Sequence, residues 1–305
     1  IPLRLVGSEM CIRDRVKLAS ISNLVERLAA SESKVPELKF EVRKRVVWFN
    51  EPEEKTEISV IYVHGFSATS QELRPFPDDV ASGLKANLFF TRLAGHGQDN
   101  KAMGKADLAQ WVADIDEAID IGRTLGNRIV VIACSTGAPL VLSGLKKKST
   151  NVAACVFVSP NFGLARPIQN LLLQLPKVRI WGPFVMGRSR GFEPRSLAHE
   201  KYWTQSYGIE AVYTMMEAVQ AAARLRIKAF TTPLALIYCS EDKVVSPKKI
   251  LSFFKRWGGP KEVLLMDKGD DASGHLLIGD IMNPNQTKLA TQFTLDFCLK
   301  HLRLN

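Results

Sequence analysis

Apolar residues follow two rhythms along this chain. Short, nearly uninterrupted runs of Val, Ile, Leu and Phe appear at EISVIYVHG (57–65), NLFFTRL (87–93), RIVVIAC (128–134), VAACVFVSP (152–160), LALIYCS (234–240) and EVLLMD (262–267). Runs of this length bounded by turn residues predict strands buried on both faces. Between them, apolar positions recur at helical spacing in DLAQWVADIDEAIDIGRTLG (107–126), TGAPLVLSGLKKK (136–148), PKKILSFFKRW (247–257) and QTKLATQFTLDFCLKHL (286–302). Asp107 is placed to cap the first of these helices and Gly126 to stop it. Alternating strand and helix predicts an α/β class: a mostly parallel sheet with helices on both faces.

Two segments lie before this rhythm and one interrupts it. VKLASISNLVERLAA (16–30) sets Val16, Leu18, Ile21, Leu24, Val25 and Leu28 on one side of an expected amphipathic helix. KFEVRKRVVWFN (39–50) reads as a strand, and the acidic EPEEKTE (51–57) suits a hairpin from it to the strand after 57. From Asn161 to Thr232 there is no clear buried strand, while Trp181, Phe184, Met186, Tyr202, Trp203, Tyr207, Tyr213, Met215 and Met216 are spread through it. This stretch is expected to be an inserted helical cap, residues 161–232, walling a ligand pocket. It divides a core made of residues 16–160 and 233–305.

Composition narrows the function classes. A chain of 305 residues can close one large domain, and it has no run of eighteen apolar residues that would span a membrane. The formal charge of +10 comes from scattered Lys and Arg without a nucleic-acid signature, so a basic solvated surface is expected and nucleic acid is not a partner. Residues 5–15, LVGSEMCIRDR, resemble a translated sequencing adapter; residues 1–15 are expected to be a non-native leader, and the compartment is left open. Cys134, Cys155, Cys239 and Cys298 have no close-spaced pairing and read as buried free thiols, with no metal site.

The candidate chemistry centres on VVIACSTGAPLV (130–141), where a strand breaks at Ser135 and a helix follows. A serine hydroxyl becomes a nucleophile only with a base to take its proton and a third group to hold that base. Catalytic groups of an open parallel sheet collect beyond the carboxyl ends of strands. Asp242 follows LALIYCS there, and His275 lies in KGDDASGHLLIG after EVLLMD. Glu241, Asp267, Asp270 and Asp271 compete with Asp242; His64, His96, His199 and His301 do not match the base position.

The order Ser, Asp, His on a strand, turn and helix resembles the α/β-hydrolase family, as do VHGF, AGHGQD, ACSTG, SEDKVVSP and SGHLLIGD over residues 40–303. The resemblance implies Ser135 as nucleophile, His275 as base and Asp242 as its orienting acid. It also implies backbone N–H groups of Phe66 and Thr136 as an oxyanion hole, with Gly65 letting that loop approach. His64, Gly65, Trp181, Phe184 and Met186 are expected at the substrate pocket. One departure is Ala133, where the pattern Gly-x-Ser-x-Gly has its first glycine. The capped form is similar to the carboxylesterase and monoacylglycerol-lipase branch, which implies a small-molecule ester substrate, hydrolysis without cofactor or metal, and an acyl-enzyme. A proline-iminopeptidase-type serine peptidase is the alternative enzyme, and a ligand-binding protein that kept the fold is the alternative class.

Overall fold

The computed structural model describes residues 20–146 and 151–303; the leader expectation, with Val16 and Leu18, lies outside the described residues. The elements are α1 (Leu24–Glu32), β1 (Arg45–Val47), β2 (Thr56–Val63), α2 (Phe76–Gly83), β3 (Asn87–Phe90), α3 (Leu108–Leu125), β4 (Gly126–Cys134), α4 (Gly137–Leu145) and β5 (Val152–Val158). After an insertion come β8 (Leu234–Tyr238), α9 (Pro247–Arg256), β9 (Lys261–Leu265) and α10 (Thr287–Leu302). The insertion itself holds α5 (Pro167–Leu172), α6 (Val178–Met186), β6 (Ser189–Gly191), α7 (Leu197–Tyr202), β7 (Ser206–Gly208) and α8 (Ile209–Ala223).

The main sheet has seven strands in the order β1-β3-β2-β4-β5-β8-β9, all parallel except β1. Successive residues of one strand feed different cores. Ile61, Val63, Val131, Ala133, Phe157 and Leu236 pack with α1, α3, α4, α8 and α9 on one face. Val60, Tyr62, Val130, Ile132, Val156 and Ile237 pack with α2 and α10 on the other. Two-sided burial is why these strands read as continuous apolar runs rather than alternating ones.

Local chemistry sets the helix boundaries. Asp107 Oδ1 accepts from Gln110 N at 2.8 Å while Gln110 Oε1 accepts from Asp107 N at 3.0 Å, a reciprocal cap at the start of α3. Gly126 ends α3 and begins β4, and a Cβ there would lie 2.4 Å from Ser59 N. The first helix starts at Leu24, later than the spacing predicts, after Asn23 takes a left-handed conformation at φ 58°. Leu24 and Leu28 pack on the core, and Glu32 holds Arg92 through two 2.8 Å contacts, so apolar burial and a buried ion pair dock α1.

The expected hairpin is not formed. β1 pairs antiparallel with β3, Arg45 opposite Phe90 and Val47 opposite Leu88, because both edges of β2 are taken by parallel β3 and β4. Phe40–Val42 of the expected strand is instead a 3₁₀ turn that buries Val42. The segment between β5 and β8 is mainly helical and also contains the antiparallel pair β6 and β7. β6 is exposed throughout, so no buried run announced the pair.

Candidate active site

Strand order reverses direction at β2: β3 lies to one side of it and β4, β5 and β8 to the other. The loops leaving β2 and β4 therefore diverge at their carboxyl ends, and such a switch point opens a crevice in an α/β sheet. Ser135 is the first residue after β4, at φ 47°, with its N–H held by Val158 O at 2.9 Å. A non-glycine residue in this region is strained, and the strain turns the hydroxyl out of the strand line. Gly137 permits the turn: a Cβ there would lie 2.7 Å from Val63 O and 3.0 Å from His64 O. Ala133 raises no such conflict, since its methyl is fully buried in the core beneath the sheet. Of the two small positions flanking the serine, the second is the demanding one here.

Ser135, His275 and Asp242 meet in one hydrogen-bonded line. Nε2 of His275 is 3.0 Å from Ser135 Oγ, and Nδ1 is 2.8 Å from Asp242 Oδ2. The consistent tautomer donates from Nδ1 to the carboxylate and accepts the serine hydroxyl at Nε2. Asp242 Oδ1 accepts from Val244 N at 2.8 Å and Val245 N at 2.9 Å, fixing the carboxylate independently of the ring. Burial works against protonation of His275, but the Asp242 carboxylate, with Glu72 and Asp271 behind it, raises its pKa above the usual imidazole value. All three side chains are buried, with Ser135 6 % exposed.

Asp270 and Asp271 are not in that line. Asp271 Oδ2 accepts from His275 N at 3.0 Å, Leu276 N at 2.8 Å and Ser273 Oγ at 2.6 Å, and its Oδ1 accepts from Ser273 N and contacts Arg195. It organises the loop that carries the histidine. Burial opposes its ionisation, yet these donors bring its pKa down to about 2.

The loop after β2 is pinned from below. His64 is fully buried, its Nδ1 2.9 Å from Gly65 O and its Nε2 accepting from Leu93 N at 3.1 Å. Burial lowers its pKa to about 4, so the ring is neutral at ordinary pH. The expectation that His64 lines the substrate space is corrected: both of its nitrogens are taken by backbone. His96 accepts from Ser67 N at 3.2 Å in the same way. Among the described residues, the N–H groups of Phe66 and Thr136 find no acceptor in the protein.

Glu72 was not singled out from the sequence. It is buried, and its Oε2 accepts from Gly65 N at 2.7 Å and Tyr62 Oη at 2.9 Å. A Cβ on Gly65 would lie 2.7 Å from Glu72 Oε1 and 3.2 Å from Ser135 Cβ, so only glycine fits between them. Burial pushes the Glu72 carboxyl up, against the pull of the Gly65 N–H. Asn161 was also missed; its N–H donates to Ser135 O at 3.0 Å and its side-chain amide to Thr136 Oγ1 at 3.3 Å. Both are polar residues in loops without a motif of their own: Glu72 folds back on Gly65 and Tyr62, 7 and 10 positions earlier, and Asn161 reaches Thr136, 25 positions earlier.

The insertion touches this loop directly. Thr204 N donates to Ser67 O at 2.8 Å, and the rings of Phe66 and Tyr207 meet edge to face at 5.0 Å. Of the three insertion residues expected at the pocket, Trp181 and Met186 are half-buried and Met186 packs on the main core. Phe184 is 82 % exposed, a correction to its expected place: it points away from the packed side of α6. Among the described residues no group of His, Cys, Asp and Glu is arranged to hold a metal ion, and the four cysteines are free and buried.

The architecture is that of an α/β-hydrolase, with a serine, a histidine and an aspartate aligned where the strand order reverses. The chain belongs to the serine aminopeptidase S33 family of hydrolases, whose profile matches residues 54–269. Similar solved structures include a metagenome-derived lipolytic enzyme from work on LipS and LipT: 18 % identity, 87 % of this chain and 100 % of that one, TM-score 0.69. A soluble variant of the monoglyceride lipase of Saccharomyces cerevisiae, solved with a substrate analogue, gives 14 % identity, 85 % and 91 % coverage, and TM-score 0.62. The monoacylglycerol lipase of Paleococcus ferrophilus gives 13 % identity, 85 % and 98 % coverage, and TM-score 0.61. Comparison with curated protein sequences gives no match.

Proposed function

We propose that this chain hydrolyses carboxylic esters of small to medium acyl chains, monoacylglycerols among them, through an acyl-enzyme on Ser135. The observation that carries the reading is the line from Ser135 Oγ through His275 to Asp242, at 3.0 and 2.8 Å. Ser135 Oγ attacks the ester carbonyl carbon as its proton passes to His275 Nε2, and Asp242 stabilises the resulting imidazolium. The carbonyl oxygen takes the negative charge, and the N–H groups of Phe66 and Thr136 are the donors free to receive it. Loss of one such donor costs ~3 kcal/mol of transition-state stabilisation. The oxyanion collapses, the C–O bond to the alcohol breaks, and the alcohol leaves with the proton from Nε2. Water then attacks the acyl-Ser135 with His275 again taking a proton, and the acid is released as Ser135 regains its own.

Residues 161–232 act in this reading as a cap, tied to the loop after β2 by the Thr204 to Ser67 hydrogen bond and the Phe66–Tyr207 contact. The family description names an aminopeptidase, which must hold a free ammonium group. The acids of the cap do not favour that: Glu193, Glu200 and Glu210 are exposed, and Glu217 pairs with Arg179 at 2.9 Å. A desolvated amine without a paired carboxylate is costly. The similar solved lipases also support ester over peptide substrates.

A fluorophosphonate probe should label the wild type and not Ser135→Ala. Absence of labelling would favour the ligand-binding alternative. On p-nitrophenyl esters, rates should rise from acetate towards moderate chain lengths, as each shielded methylene contributes roughly 0.8 kcal/mol. Efficient cleavage of prolyl-p-nitroanilide with flat ester activity would overturn the esterase reading.

A further inference from the structure

The outer face of the insertion combines exposed apolar side chains with unpaired cations. Ile168 and Leu171 on α5 are 73 % and 63 % exposed, and Ile180, Phe184 and Val185 on α6 are 68 %, 82 % and 66 % exposed. Among the described residues sixteen large apolar side chains are exposed, and seven fall in the thirty positions 168–197, so this is a concentration rather than ordinary surface scatter.

The same stretch is strongly basic. From Arg166 to Leu197 it carries six Lys and Arg against the single acid Glu193, a net +5 that is half of the chain's +10. All six cations are exposed. Arg179 pairs with Glu217 and Arg195 with Asp271. Among the described residues no ion pair engages Arg166, Lys177, Arg188 or Arg190. An apolar face alone could accept many partners, but uncompensated cations around it select one of opposite charge. They also disfavour a second copy of the same face, since two surfaces each carrying Arg166, Lys177, Arg188 and Arg190 against the single acid Glu193 would repel.

We propose that this face of α5 and α6 docks the protein onto an anionic lipid bilayer, with Leu171, Ile180 and Phe184 entering the headgroup boundary and Lys177, Arg188 and Arg190 meeting lipid phosphates and carboxylates. Short helices with one apolar face and basic flanks lie in the interface plane. Among the described residues no helix is long and apolar enough to cross a membrane, which is consistent with surface attachment. The inference concerns binding alone and goes beyond the proposed reaction.

The test is flotation of the full chain, as Ser135→Ala so that turnover cannot alter lipid, with phosphatidylcholine vesicles and with vesicles also containing phosphatidylserine. Each cation near an anionic surface strengthens binding roughly fivefold, so phosphatidylserine should raise affinity at least about tenfold, and high salt should remove that gain. Arg188→Glu with Arg190→Glu should abolish the phosphatidylserine gain, and Leu171→Asp with Ile180→Asp should weaken binding to both vesicles. These positions are exposed, so melting temperatures should stay within error of the parent. Failure of the parent to float with phosphatidylserine vesicles, or equal flotation of parent and variants, would overturn the proposal. So would a concentration-dependent dimer in sedimentation that is lost in Leu171→Asp with Ile180→Asp while no vesicle binding is seen.

Discussion

Asp271→Asn separates the carboxylate that organises the His275 loop from the one that faces the ring. Asp271 takes the N–H groups of Ser273, His275 and Leu276, the Ser273 hydroxyl and the Arg195 guanidinium. Its pKa falls from the usual 3.8 to about 2, which corresponds to roughly 2 kcal/mol of folding stability at neutral pH. Arg195 is 42 % exposed and its share is screened by water, so ~1–2 kcal/mol is the better figure. Asparagine keeps one acceptor oxygen but turns an amide nitrogen towards donors, which adds ~1–3 kcal/mol. The expected total is about 2–5 kcal/mol, a fall of roughly 3–8 °C in melting temperature for a chain of this length. Because the folded-state pKa is depressed, the carboxylate's contribution is full above pH ~4 and disappears as pH falls towards ~2. Urea unfolding of wild type and Asp271→Asn from pH 7 downwards should therefore show a constant gap that narrows only below pH ~4. Ester turnover should fall less than in Asp242→Asn. A gap independent of pH to below 3, or loss of activity equal to Asp242→Asn with unchanged stability, would refute the separation of roles.

Ser135→Ala, His275→Ala and Asp242→Asn should each reduce kcat by about a thousandfold or more with little change in melting temperature, and double variants should add little, as checked by steady-state kinetics. The raised pKa of His275 places the acid limb of kcat/KM above 6.5, with rates falling as pH drops through it; a pH profile should show that limb moving down in Asp242→Asn, because the neighbouring charge is removed. Glu72→Gln keeps an acceptor for Gly65 and Tyr62 and removes only charge, so KM should hold within about twofold while the same limb moves down; an unmoved limb would mean that the Glu72 carboxyl is neutral in the working protein. Glu32→Ala strands the buried Arg92 guanidinium and should cost about 3–5 kcal/mol in denaturant unfolding, the cost of breaking a buried pair.

The sequence alone determined the elements whose signal is local. Continuous apolar runs marked five of the six parallel strands at or near their observed bounds and located the sixth, β3; from β2 to β8 two-sided burial leaves no polar face to confuse the pattern, whereas the edge strand β9, expected to be buried on both faces, leaves Val263 and Leu265 exposed. Asp107 and Gly126 bounded α3 because caps act within a turn. Ser135, Asp242 and His275 could be picked out by chain order and by their place after strands. Their 3.0 and 2.8 Å contacts could not, since these join residues 140 and 33 positions apart. Only the tertiary structure decided that β1 joins β3 instead of forming a hairpin, because the choice depends on which edges of β2 remain open. It also decided that Asp271 serves the loop and Asp242 the ring: neighbouring carboxylates in sequence look alike until the donors around them are in place. Glu72 and the two faces of α6 belong with these. Whether a glutamate is buried beneath Gly65, or Phe184 faces solvent rather than a pocket, depends on what packs against it, and that is set by contacts between distant parts of the chain.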